Sequence, residues 1–251
     1  MKQIVLPNHS TGSPVITRIP CTGRGTIKRE KTLDVIFCLP GNTFSGKFLQ
    51  SWTRLLIHCM RHGINADILQ MYSSNIYHVR EAFLSTTVLA DTPNIRPFGG
   101  RQYDYSMWID SDQTFTPEDF ERLIARDVDI CGGAIKVNKD DEYAFGWFDE
   151  GLLKETGELK RIQGKDLDGK KALIDVDFCG LAFTLVKFGV FESLKFPFFE
   201  PLPYSVYPSC KDKKGFMGED LSLFYRLKQK GFKTYIDPNV KVGHEKPVIL
   251  I

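Results

Sequence analysis

The chain has 251 residues, with 33 Lys+Arg against 31 Asp+Glu, a formal net charge of +2, 25% charged residues and 42% hydrophobic ones. That length buries a full core as one large domain or two small ones. The balance excludes a strongly basic nucleic-acid binder and an acidic disordered tail, so any phosphate the protein handles must be held by a local device.

Residues 1–32 are rich in Gly, Pro, Thr and basic residues without periodicity and read as an N-terminal extension. From Leu33 the texture changes, and Val35-Ile36-Phe37-Cys38-Leu39 is a continuous apolar run of the kind that forms a strand covered on both faces. Phe48, Trp52, Leu55, Leu56 and Cys59 then recur at helical spacing, with Gly63 as the stop, and residues 66–71 form the next strand. A second helical pattern runs through Val79, Ala82, Phe83 and Thr86, and another strand leads to Met107-Trp108-Ile109. Thr116-Pro117-Glu118-Asp119 reads as a capped helix start, followed by a strand at 128–130.

Residues 138–172 are polar and Gly-, Lys- and Asp-rich around an aromatic island at Tyr143, Phe145, Trp147 and Phe148, and read as an excursion over one end of the sheet. Strands at 173–178 and 181–186 flank Cys179-Gly180, a short helix lies near 187–194, and a Pro- and aromatic-rich loop covers 196–208. A helix at 219–230, a strand at 233–236, a turn at Asp237-Pro238-Asn239 and Val240-Lys241-Val242-Gly243-His244 close the chain. The alternation predicts a single α/β domain over 33–251 with a mixed sheet. The six cysteines form no C-x-x-C and read as small buried hydrophobes in a reducing compartment. No apolar run approaches the roughly 20 residues of a membrane span, and no apolar leader follows the early lysine. A soluble, cytoplasmic protein is therefore expected.

The sharpest local feature is Asp110-Ser111-Asp112 after a buried strand. Carboxylates two residues apart in extended chain project to one side, where both can face a divalent cation at the carboxyl end of a strand. Gly218-Glu219-Asp220 opens a helix; acidic residues suit that end through the dipole, and a carboxylate there is also a candidate general base. His244, after a final strand and a glycine, is a candidate third metal ligand. The segment from Gly41 to Lys47 matches G-x-x-x-x-G-K of a phosphate-binding P-loop, but Phe48 stands where Ser or Thr should bind magnesium.

Six segments in order carry a resemblance: Leu39-Pro40-Gly41; Ser73-Ser74-Asn75-Ile76 with Val79-Arg80-Glu81; Trp108-Ile109-Asp110-Ser111-Asp112-Gln113-Thr114-Phe115; Cys179-Gly180-Leu181-Ala182-Phe183; Gly218-Glu219-Asp220-Leu221-Ser222; and Val242-Gly243-His244. Together they resemble the GT-A glycosyltransferases of the family 2 type, particularly the compact bacterial and phage versions, over most of residues 33–245. Glu81 and Cys179 depart from the residues common at their places.

The resemblance implies a GT-A, Rossmann-like three-layer sandwich with a mixed, mainly parallel sheet. It implies a nucleotide-diphosphate sugar donor, UDP-sugar favoured over GDP-sugar, and an acceptor hydroxyl on a carbohydrate or other molecule. Pro40, Gly41, Asn42 and Arg80 would lie near the nucleoside, with Asp110, Ser111, Asp112 and Gly180 also on the donor. Asp112, with Asp110 and His244, would hold Mn²⁺ or Mg²⁺ on the diphosphate. Asp220, and after it Glu219, would deprotonate the acceptor, and direct displacement would invert the anomeric centre. Two other classes compete: an NTPase or kinase using the 41–47 loop, and a non-catalytic carbohydrate-binding module using the aromatics around Trp147 and 196–207.

Overall fold

The computed structural model describes residues 15–18, 32–86, 95–137 and 141–246. In chain order the elements are β1 (Val15–Arg18), β2 (Leu33–Pro40), α1 (Gly46–His62), β3 (Ala66–Met71), α2 (Ile76–Ser85), β4 (Tyr103–Ile109), β5 (Gln113–Thr114), α3 (Pro117–Ile124) and β6 (Ile130–Ile135). They continue with β7 (Glu142–Trp147), α4 (Glu150–Thr156), β8 (Lys160–Gln163), β9 (Ile174–Val176), β10 (Phe178–Cys179), β11 (Phe183–Lys187), α5 (Glu219–Gln229) and β12 (Thr234–His244).

The main sheet runs β1-β3-β2-β4-β11-β6-β12-β5, with β9 also on β12. The pairs β2–β3, β2–β4 and β6–β12 are parallel, and β11 lies antiparallel to both β4 and β6. Within the central run every strand but β11 therefore points the same way, which is the mixed, mainly parallel α/β sheet expected. Side chains alternate across it as the period of a strand requires. Val35, Phe37 and Leu39 of β2 pack with Phe48, Leu55 and Phe120 of α1 and α3, while Ile36 and Cys38 pack with Val79, Phe83 and Leu223 of α2 and α5. Two helical layers thus sandwich the sheet. Burial on both sides explains the uninterrupted apolar run at 35–39.

Local chemistry sets the helix ends. Ser45 caps α1 by accepting from Phe48 N at 3.0 Å, and Gly63 ends it in the left-handed region at φ 67°. Thr116 and Asp119 form a reciprocal capping box at α3.

Three readings need correction. The 138–172 excursion contains two strands and a helix, and β10-β7-β8 form a separate three-stranded sheet whose Tyr143 and Phe145 are buried. The turn at 237–239 is an irregularity within one strand, β12, where the register against β6 shifts between Asp237 and Lys241. The helix near 187–194 is only a 3-10 turn at Phe191–Ser193. In the 1–32 extension, Val15–Arg18 pairs antiparallel with β3, and the segments on either side lie outside the described residues. The cysteines at 38, 59, 131, 179 and 210 are buried, and those at 38, 131, 179 and 210 are free thiols; Cys21 falls outside the described residues. Among the described residues no helix is long and apolar enough to cross a membrane.

Candidate active site

Because β2, β3, β4, β6 and β12 share a direction, residues 40–41, 71–73, 110–112 and 243–244 meet at the carboxyl edge of the sheet, where open α/β folds place ligands. Asp110 N donates to Ala182 O at 2.9 Å, and Gln113 N donates to Asp110 O at 3.2 Å, closing a turn after β4. That turn feeds β5, whose Thr114 and Gln113 pair with Gly243 and His244 of β12. A Cβ at position 243 would stand 2.2 Å from Thr114 Oγ1, so any other residue there would force that side chain to turn. The pairing delivers His244 to Asp112 across 132 residues of sequence.

His244 Nε2 lies 3.0 Å from Asp112 Oδ2, and its Nδ1 lies 2.7 Å from Lys136 O. A carbonyl only accepts, so Nδ1 carries a proton, and in the neutral ring Nε2 presents a lone pair to a carboxylate. Two acceptors face each other unless a cation or proton lies between them. This donor set, with an imidazole oriented through its second nitrogen, fits a divalent metal ion. Lys246 Nζ, 3.3 Å from Asp112 Oδ2, adds positive charge at the same point. Burial raises the Asp112 carboxyl, but a hydrogen bond from Gln113 and positive charge on Lys246, joined by His244 whenever its ring is protonated, outweigh it and hold the group below its ordinary value.

Asp110 is engaged differently. Arg80 Nη2 lies 3.3 Å from both of its oxygens, and Arg80 Nη1 donates to Glu219 Oε1 at 2.5 Å. Burial pushes the Asp110 and Glu219 carboxyls up, with Arg80 pulling each back. Burial opposes the charge on Arg80 itself, yet Asp110, Glu219 and Asp220 hold it protonated above its ordinary value. The Arg80 charge is thus already matched within the protein. Asp110, Asp112 and His244 do not bring three ligand atoms within 4.8 Å of one another.

A cleft of about 230 Å³ opens at this edge, lined by Pro40, Gly41, Asp110, Ser111 and Asp112. Gly41 has φ +143°, and a Cβ there would meet Ser111 Cβ at 2.6 Å, so glycine lets the end of β2 lie against the 110–112 turn. Asn42 sits on the exposed loop beyond, hydrogen-bonded to Thr43 Oγ1 at 3.2 Å. Ser73, quoted above only as part of the 73–76 segment, and Tyr72, missed in the sequence, also line the cleft; an exposed aromatic immediately after a strand's carboxyl end was the available signal for Tyr72. Asp220, in the first turn of α5, accepts from Leu221 N through Oδ1 at 2.7 Å. Its Oδ2 takes no hydrogen bond among the described residues and lies 3.9 Å from where a Cβ on Gly180 would stand. Tyr77 shares this corner, its hydroxyl pushed up by burial and by the charges of Glu219 and Asp220. A larger cavity of about 810 Å³, rimmed by Lys136, Lys170, Lys171 and Lys241, contains none of the predicted site residues.

Of the P-loop-like segment, only Gly41 lines the cleft described above. Ser45 spends its hydroxyl on the α1 cap and on Glu245, Lys47 is 78% exposed with Glu245 at 3.9 Å, and Phe48 is buried against Phe44 and Phe115. The aromatics proposed as a sugar platform largely pack on one another: Phe148 contacts Phe178, Tyr207 and Tyr225.

Fold and site together define an α/β protein with an acidic cleft at a sheet's carboxyl edge. No family model matches the sequence, and no curated protein matches it. Among solved structures, the crystal structure of A197 from STIV is similar at TM-score 0.49 and 18% identity, over 87% of this chain and 97% of that one. The crystal structure of GalNAc-T7 with UDP, GalNAc and Mn²⁺ is similar at TM-score 0.46 and 12% identity, over 88% of this chain. The match spans 45% of that second protein's length.

Proposed function

We propose that the chain is a metal-dependent, inverting glycosyltransferase of the GT-A type, moving a sugar from a nucleotide-diphosphate donor to an acceptor hydroxyl. The observation that carries this reading is the His244–Asp112 contact of 3.0 Å beside the cleft, with Nδ1 of the ring committed to Lys136 O. Asp112 and His244 would hold Mn²⁺ or Mg²⁺, and the ion, when bound, offsets the charge that develops on the departing diphosphate. Asp110 faces the same cleft but is tied to Arg80, so its part is to fix the turn that aims Asp112. Pro40, Gly41, Tyr72 and Ser73 form the wall against which a nucleoside would lie, and the sequence resemblance favours UDP as the carrier.

The two acidic residues of α5 separate by environment. Glu219 is paired with buried Arg80, whereas Asp220 keeps Oδ2 free beside Gly180, so Asp220 is the base. The acceptor O–H gives its proton to Asp220 Oδ2 as its oxygen bonds to the anomeric carbon. The bond from that carbon to the diphosphate breaks, its electron pair stays on the phosphate oxygen, and attack from the opposite face inverts the centre.

The test incubates a panel of nucleotide sugars with the protein, with and without Mn²⁺, and follows donor turnover and thermal stabilisation. One donor should be consumed and should stabilise the protein only with metal. Asp220→Asn should abolish turnover and keep that stabilisation; Asp112→Ala should lose the metal dependence. Full turnover by Asp220→Asn, or binding of every donor equally with and without chelator, overturns the reading.

A further inference from the structure

A second set of metal-type ligands stands away from the cleft. His58 and His62 lie one turn apart on α1, and Glu121 projects from α3 beside them. One ligand atom from each falls within 4.8 Å of the other two, the one such group of three among the described residues. Ser45, at the cleft end of α1, is 13 positions before His58, about 20 Å along the axis at 1.5 Å per residue. The cluster is therefore separate from Asp112 and His244.

The geometry of each ring points to a cation. His62 Nδ1 lies 2.9 Å from His58 O, so its proton is committed there and the neutral ring turns the Nε2 lone pair outward. The two rings lie side by side with centroids 4.0 Å apart. His58 Nε2 lies 3.0 Å from Glu121 Oε1, yet this buried nitrogen makes no properly directed hydrogen bond. An oxygen that close but off the N–H line is where a neighbouring ligand sits when a metal, rather than a proton, occupies the lone pair. With metal–nitrogen and metal–oxygen distances of about 2.0–2.2 Å, adjacent ligands lie about 3.0–3.5 Å apart, which the His58–Glu121 pair already satisfies. His62 and Glu121 are exposed and can close the remaining distance by side-chain rotation.

We propose that His58, His62 and Glu121 form a binding site for a transition-metal ion of the Zn²⁺ class that clamps the end of α1 to α3. Two imidazoles and one carboxylate suit Zn²⁺ over the hard Mg²⁺ or Mn²⁺. Three protein ligands leave a coordination position for water. The ion binds an assembled pair of helices that the unfolded chain lacks, so it stabilises the fold by linkage.

The experiment uses tag-free, chelator-stripped full chain, titrated with Zn²⁺ against a chromophoric chelator, with Co²⁺ absorption as a second readout. Wild type should take up a Zn²⁺ equivalent, and show Co²⁺ d–d bands, that His62→Ala lacks and Asp112→Ala retains. Zn²⁺ should raise the melting temperature of wild type and not of His62→Ala. His62 is exposed, so the variant should keep the wild-type circular dichroism spectrum. Equal Zn²⁺ stoichiometry and Co²⁺ spectra in wild type and His62→Ala, or no Zn²⁺ uptake by wild type, overturns the proposal.

Discussion

Arg80 of α2 and Glu219 of α5 meet across the wall of the cleft at 2.5 Å, with the Arg80 side chain 5% and the Glu219 side chain 11% exposed. The same guanidinium reaches Asp110 at 3.3 Å, so one buried cation ties α2, β4 and α5 together behind the site. Removing one partner of such a group leaves charge buried and unmatched, which costs about 3–5 kcal/mol. Arg80→Met should therefore lower the urea midpoint by far more than a surface Arg→Met change, while Glu219→Gln, which keeps an acceptor for the guanidinium, should cost less. Equal stability of Arg80→Met and wild type would show that the bridge contributes nothing net.

Gly41 tests the fit between β2 and the Asp110–Asp112 turn. Alanine at φ +143° is strained by about 1–3 kcal/mol, and its Cβ would press on Ser111 at 2.6 Å. Gly41→Ala should raise the donor KM and destabilise the protein. Adding Ser111→Gly removes the clash and leaves the backbone strain, so the double variant should recover only part of the loss. Wild-type kinetics in the single variant would remove the close approach from the account.

Much of this arrangement was legible in the chain. The apolar run 35–39, the Thr116 capping box and Gly63 as a helix stop each depend on neighbours within a few residues, and the structure has each where the pattern put it. What was not legible depends on partners far away. Nothing near Arg80 says that its charge is matched by a glutamate 139 positions on, which makes the guanidinium part of the wall. Glu81 accepts from Phe198 N at 3.2 Å and Phe199 N at 2.8 Å, holding the 196–199 loop to α2. The small sheet β10-β7-β8 escaped because β7 and β8 lie in a polar segment where their buried side chains are few, Tyr143 and Phe145 on β7 and Ile162 on β8. The Asp237-Pro238-Asn239 sequence spells a turn, and the chain uses it as an irregularity inside a strand.

That irregularity has a pH signature. Asp237 is fully buried, and its Oδ2 lies 2.7 Å from Arg126 Nε while Oδ1 accepts from Asn239 N at 2.9 Å. Burial alone would raise its carboxyl, but the bonds from Asn239 and Arg126 outweigh burial and hold it below the ordinary value of 3.8. A folded value below the unfolded one gives stability that is present above the unfolded value and is lost as pH falls through the folded value. Asp237→Asn should cost about 2 kcal/mol at pH 7, the scale of hydrogen bonds to a charged group, and that gap should narrow as pH drops below 3.8. Chemical denaturation of both proteins across the acid range measures it; a gap that stays constant would mean that the carboxylate charge is not what stabilises the bend.

Phe48 and Lys47 are adjacent, and the two functional classes assign them opposite weights. A P-loop enzyme needs the lysine on its phosphates and a hydroxyl at the next position. Here Phe48 is 1% exposed in the core layer under α1, and Lys47 is largely exposed, with Glu245 as its ion-pair partner among the described residues. Lys47→Ala should leave donor turnover within about twofold of wild type, since exposed ion pairs contribute little. Phe48→Ala should cost about 3–5 kcal/mol, the range for deleting a buried ring, and its loss of activity should track the loss of folded protein. Paired measurements of turnover and unfolding on the two variants separate the classes: if Lys47→Ala abolishes turnover while the protein stays folded, the 41–47 loop holds the phosphates and the Asp112–His244 pair does not.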